Sequence, residues 1–132
     1  MSRKLCVAAL AWALSGAVLA QSLQDAPVPA AISLVQENGV LKLRDDDGHS
    51  LYVNDRDPVG RSVCVDQCAS EWPPVVAPQD AHRIGDWTPV HRTDGSLQWA
   101  YKGKPVYTFR GDTTAGEANG AGKGGVWHVL AP

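Results

Sequence analysis

The chain repeats itself, and that limits its possible folds more than any other feature. Gly48-His49-Ser50-Leu51-Tyr52-Val53-Asn54-Asp55-Arg56-Asp57 and Gly103-Lys104-Pro105-Val106-Tyr107-Thr108-Phe109-Arg110-Gly111-Asp112 share one pattern: Gly, two residues, an aliphatic, Tyr, four residues, Asp. Gly60 and Gly116 follow the two Asp residues at nearly equal distances, and Trp72…Ala77-Pro78 is answered by Trp127…Ala131-Pro132. Self-similarity of this kind marks a tandem duplication. Neither half is long enough to cover its own sheet face, so the two units, 32–78 and 87–132, are expected to share one core in a single domain, related by a pseudo-twofold.

The amino terminus reads as an export signal. Arg3 and Lys4 precede an apolar stretch from Leu5 to Leu19, and Val18-Leu19-Ala20 suits cleavage before Gln21. The stretch is short for a membrane-spanning helix, and no second one follows. A periplasmic or secreted protein without a membrane span is expected. The formal charge is −2 over 132 residues, and loss of Arg3 and Lys4 makes it more negative. Such a balance gives no electrostatic reason to bind nucleic acid. Cys6 leaves with the signal, so Cys64 and Cys68 remain.

After a Pro/Ala-rich segment, 21–31, that reads as a flexible leader, the strand signals begin. Asn38-Gly39 between Ile32-Ser33-Leu34-Val35 and Val40-Leu41-Lys42-Leu43 is a strong hairpin signal. Asp47-Gly48 then turns the chain into Ser50-Leu51-Tyr52-Val53. In the second half, Trp87 to His91, Leu97 to Tyr101 and Val106 to Phe109 repeat the plan around Asp94-Gly95 and Gly103. The expected class is mainly β, a small α+β domain of two three-stranded meanders with one short helix near 62–71. Ser62 would cap that helix and Pro73-Pro74 would stop it. Thr113 to Gly125 is too rich in glycine for a helix.

These residues resemble the bacterial secreted-repeat family, described as predicted lipoproteins with a Yx(FWY)xxD motif. Tyr107-Thr108-Phe109-Arg110-Gly111-Asp112 fits that motif in full. Tyr52 to Asp57 fits at Tyr and Asp but carries Asn54 at the aromatic position. Cys64-Val65-Asp66-Gln67-Cys68-Ala69-Ser70-Glu71-Trp72-Pro73-Pro74 is similar to the family's Cys-x3-Cys-Ala…Trp-Pro-Pro segment. The resemblance spans about residues 38–132 and brings no activity with it. No Cys follows the signal here, so no lipid anchor is expected.

Three sets of residues could carry chemistry. Asp57 and Asp112 are expected at strand ends, accepting backbone N–H bonds from the turns that follow; the sharper reading brings them together as a cation or acid/base site. Cys64 and Cys68 are expected to form a small disulfide in an oxidising compartment. Helical i,i+4 spacing puts Cβ atoms about 5–6 Å apart against the 3.5–4.5 Å a bridge needs, so the pair must sit at a helix end or distort it. The alternative is a redox or copper-handling pair, since soft thiolates hold Cu(I). Among the scattered histidines, His128 beside Trp127 is a third metal candidate. Trp72 and Trp127 are expected as core anchors, whereas Trp87 and Trp99, flanked by polar residues, could line a groove. No nucleophile–base–orienter set is visible. The leading expectation is a non-enzymatic binding or interaction domain for a protein or small ligand, with no cofactor; the alternative is redox or copper handling by Cys64 and Cys68.

Overall fold

Asn38 and Gly39 both adopt positive φ (50° and 78°), the backbone that lets a two-residue turn match the twist of its flanking strands. They join β1 (Ile32–Glu37) to β2 (Val40–Asp45), with Glu37 opposite Val40. The computed structural model describes residues 25–132, so the signal segment and its cleavage point lie outside the described residues. The leader is not flexible throughout. Pro29 is fully buried, Ile32 N–H donates to its carbonyl at 2.9 Å, and Asp46 N–H donates to Ala31 at 3.0 Å. An apolar proline can pack as well as any strand residue when a hydrophobic surface is offered.

The third strand of the first half, β3 (Tyr52–Asn54), touches β2 only through an Arg44–Ser50 bridge. Its ladder partner is β8 (Trp127–Val129) from the far end of the chain, with Tyr52 opposite Val129. The first meander is thus opened at its third strand. The second half builds its meander as expected from β5 (Trp87–His91), β6 (Leu97–Tyr101) and β7 (Lys104–Pro105). It also takes a strand from the first half, β4 (Val76–Ala77), against the edge of β6 opposite β5.

The pseudo-twofold is legible in the backbone. Tyr52 N–H donates to Tyr107 at 2.8 Å and Tyr107 N–H donates back at 2.9 Å. With the offset that separates these two tyrosines, the other cross-links come in matched pairs. Leu130 N–H bonds Leu51 (2.8 Å) as Val75 N–H bonds Val106 (3.0 Å). Asp55 N–H bonds Val126 as Arg110 N–H bonds Glu71, both at 2.9 Å. The closing segment of each unit therefore lies against the motif strand of the other, so the units are intertwined rather than merely abutting.

The helix α1 spans Gln67–Glu71, shorter than the 62–71 read from the sequence, and Ser62 does not cap it. Asp66 precedes it at φ 54°, outside the right-handed helical region, so the helix cannot extend back through that residue. Pro73-Pro74 follow it, as expected. Thr113 to Gly125 is loop except for one 3₁₀ turn at Lys123–Gly125. Two apolar clusters form. One gathers Ile32, Leu43, Leu51, Val75, Trp87, Trp99, Val106 and Leu130 between the sheets. The other is aromatic and straddles the pseudo-axis. Trp87 and Trp99 are core residues, since Trp packing dominates burial in so small a sheet protein.

Candidate functional site

Because Tyr52 and Tyr107 exchange backbone bonds across the axis, each side chain is delivered into the other unit. The Tyr52 hydroxyl donates to Asp112 Oδ2 at 2.5 Å, and the Tyr107 hydroxyl donates to Asp57 Oδ2 at 2.6 Å. The remaining oxygen of each carboxylate accepts a backbone N–H from the segment that follows it. Val63 N–H reaches Asp57 Oδ1 and Asn119 N–H reaches Asp112 Oδ1, both at 2.8 Å. All four motif side chains are buried. A buried carboxylate without partners is costly, and here both oxygens of each are taken. Asp57 and Asp112 are each held by the opposite tyrosine, and neither belongs to the three-residue ligand cluster found among the described residues. Burial pushes both tyrosine hydroxyls well above their ordinary pKa, and the bonded carboxylates push in the same direction.

The two pairs differ in their surroundings. Tyr107 shares its hydroxyl with Ser62 Oγ at 2.5 Å, and Arg92 donates to that oxygen at 2.9 Å. Arg92 also donates to Gln98 Oε1 and to the Cys64 carbonyl, each at 2.7 Å, and Gln98 donates to Val106 at 2.8 Å. Tyr52 has only a weak additional donor, Gly120 N–H at 3.3 Å.

The Trp72 and Trp127 rings stack at 3.8 Å and 5°. Tyr52 meets Trp72 and Tyr107 meets Trp127 edge-on, at 5.3 and 5.1 Å. Phe109 packs on Trp72 at 4.4 Å. At the corresponding place in the first unit, Asn54 uses its side-chain oxygen to accept Arg56 N–H at 2.9 Å, so a turn contact replaces a ring.

Residues 88–131 match the model of a family described as a secreted repeat of unknown function. The match covers the second half's strands and its Tyr/Asp motif, about a third of the chain. No curated protein and no solved structure matches it. Among the described residues, no helix is long and apolar enough to cross a membrane. The matched stretch holds Tyr107, Phe109 and Asp112. Their partners Asp57, Trp72 and Tyr52 come from the first half. The matched stretch therefore completes its motif with residues of the first half.

Outside the motif, Cys64 and Cys68 are joined in a disulfide with Cα atoms 5.2 Å apart. Cys64 lies before α1 and Cys68 in its first turn, so the bridge spans the helix entry. That position avoids the misfit between helical spacing and disulfide geometry. His128 Nε2 lies 2.6 Å from Asp55 Oδ2 on the exposed surface. The potential metal-ligating group among the described residues is a different one: Asp45, Asp47 and His49. Asp45 Oδ1 there accepts the N–H groups of Asp47 and His49, at 3.0 and 2.7 Å, which is the work of a turn. Sequence reasoning did not anticipate the Ser62–Arg92–Gln98 chain, because these residues meet only through the fold.

Proposed function

We propose that this protein is a periplasmic or secreted interaction domain, and that its Tyr/Asp motif locks the two repeats together rather than performing catalysis. The observation that carries this reading is the saturation of both motif carboxylates, each with one oxygen on a tyrosine and the other on a backbone N–H. A general acid or base must reach a substrate proton, and these groups are buried and engaged with the protein itself. The copper reading requires Cys64 and Cys68 as thiolates, whereas a disulfide occupies both sulfurs. The test compares Asp57→Asn and Asp112→Asn with the parent protein. Each variant is expected to lose stability by about 1–3 kcal/mol, since a buried charged acceptor is weakened. If both variants melt like the parent but lose binding of a divalent cation, the motif is a binding site and the lock is wrong. Free thiols in protein taken directly from the periplasm, with stoichiometric Cu(I) binding abolished by a double Cys→Ser change, would favour copper handling instead.

A further inference from the structure

The pseudo-twofold that matches so many bonds fails at one place. In the second half, β6 is flanked along one edge by β5. Its opposite edge is covered twice: β7 pairs at Ala100–Tyr101 and β4 pairs at Leu97–Gln98. Beside them, Trp99 N–H donates to Val75 at 2.9 Å. In the first half β2 stands where β6 stands, with β1 on one edge. The Arg44–Ser50 bridge answers Ala100–Pro105. Nothing among the described residues answers β4, and no strand pairs with Val40–Leu43 on that side.

The reason is in the sequence. Leu130 is the counterpart of Val75 by its bond to Leu51. Ala131 and Pro132 are then the counterparts of Val76 and Ala77. Pro132 has no N–H, so it cannot take the ladder place that Ala77 holds opposite Leu97. What lies there is a groove of about 310 Å³. Leu41 and Leu43 of β2 line it, together with Val129, Leu130, Ala131 and Pro132. Val40 and Val129 are among the few large apolar residues left exposed, at 57% and 42%. Asp45 N–H points to this side, where it bonds His49 at 3.0 Å. Strand alternation turns the Leu43 and Leu41 N–H groups the same way. The Lys42 ammonium, which could block an edge, is held by Glu37 at 3.1 Å.

We infer that the open edge of β2 is a docking site for an extended, uncharged apolar segment of a partner protein, which adds as a strand where β4 sits in the other half. The occupant's chemistry is read from β4: the segment Val75-Val76-Ala77-Pro78 fills the equivalent place, one apolar side inward and its backbone on the edge. Strand addition takes affinity from main-chain bonds and specificity from the pockets beside them. This inference rests on the interaction-domain reading but not on the Tyr/Asp lock, which the Asp→Asn variants test separately by stability.

The probe is a synthetic peptide copying residues 73–79, added to the full mature chain. Amide hydrogen exchange, resolved by residue, should slow at Leu41 and Leu43 on saturation. Val129→Lys and Val40→Lys, both at exposed rim positions, should weaken peptide binding at least tenfold with unchanged melting temperature. Leu41→Pro, which removes an outward N–H, should abolish protection at the edge; if it fails to fold, the two Lys variants decide. Unchanged exchange at Leu41 and Leu43 in millimolar peptide overturns the proposal. So does protection of these amides that grows with protein concentration alone, because the edge would then pair with a second copy of this chain.

Discussion

The two halves obey the same symmetry at the axis and abandon it at the periphery. Near the axis, tyrosine reaches aspartate, tryptophan meets tryptophan, and each closing segment lies on the opposite motif strand. Farther out, the second half has a sheet of β4, β6, β5 and β7, while the first keeps a bare hairpin. Around Tyr107 there is a chain of Ser62, Arg92 and Gln98; around Tyr52 there is a glycine-rich loop. A duplicated chain must keep whatever each copy supplies to the other. It is free to change whatever each copy faces alone. The motif is on the axis because it is the shared part.

That comparison can be broken most severely at the stacked rings. Trp72→Ala and Trp127→Ala should each cost about 3–5 kcal/mol, and by similar amounts, because the stack is common to both units. A variant with parental stability in a denaturant titration would show that the axis is not the shared centre. Gly120 sharpens the asymmetry. A Cβ there would lie 2.6 Å from Trp72 and 3.0 Å from Phe109, so Gly120→Ala should cost about 1–3 kcal/mol by overpacking.

The tyrosine pairs test the surroundings directly. Tyr107→Phe and Tyr52→Phe each leave a buried carboxylate short of one donor, at about 1–3 kcal/mol. The loss at Tyr107 should be the larger, since Ser62 and Asp57 both lose a partner there. Equal losses would mean that the Ser62–Arg92 chain adds nothing. Both native hydroxyls have raised pKa values, so the unfolded tyrosines ionise first, near pH 10. The stability these groups confer is complete below that pH and is lost as pH rises beyond it. Melting temperature followed into the alkaline range should fall less steeply in the double Tyr→Phe variant than in the parent. The smallest effect is expected at the bridge: Cys64→Ser with Cys68→Ser should cost about 2 kcal/mol or less, because the closed loop is short.

Much of this was legible beforehand because it is local. Asn38-Gly39 announced its hairpin, and the acceptance of turn N–H groups by Asp57 and Asp112 followed from their place at strand ends. A position five residues after a strand tyrosine lies on the other side of the strand, so the motif could not close on itself. The sequence carried no signal for the remedy, that each Asp finds the tyrosine of the other unit, since spacing within a repeat says nothing about contacts between repeats. The helix near 62–71 forms but begins late, at Gln67, for a similar reason. Ser62 has the chemistry of an N-cap, but Tyr107 and Arg92, distant in the chain, claim its hydroxyl. The burial of Pro29 was hidden too, because a proline looks the same in a linker and against a hydrophobic wall.

The pairing of β3 with β8 also sets an order in time. Translation and export run from the amino terminus, so the strand that seals the first unit's motif is the last to arrive. Until Trp127 to Leu130 have emerged, the Leu51 carbonyl and one face of Trp72 have no partners. Closure of such distant contacts is slow compared with local hairpins. The chain cannot mature in instalments: a nascent first half waits, half-made, for its twin.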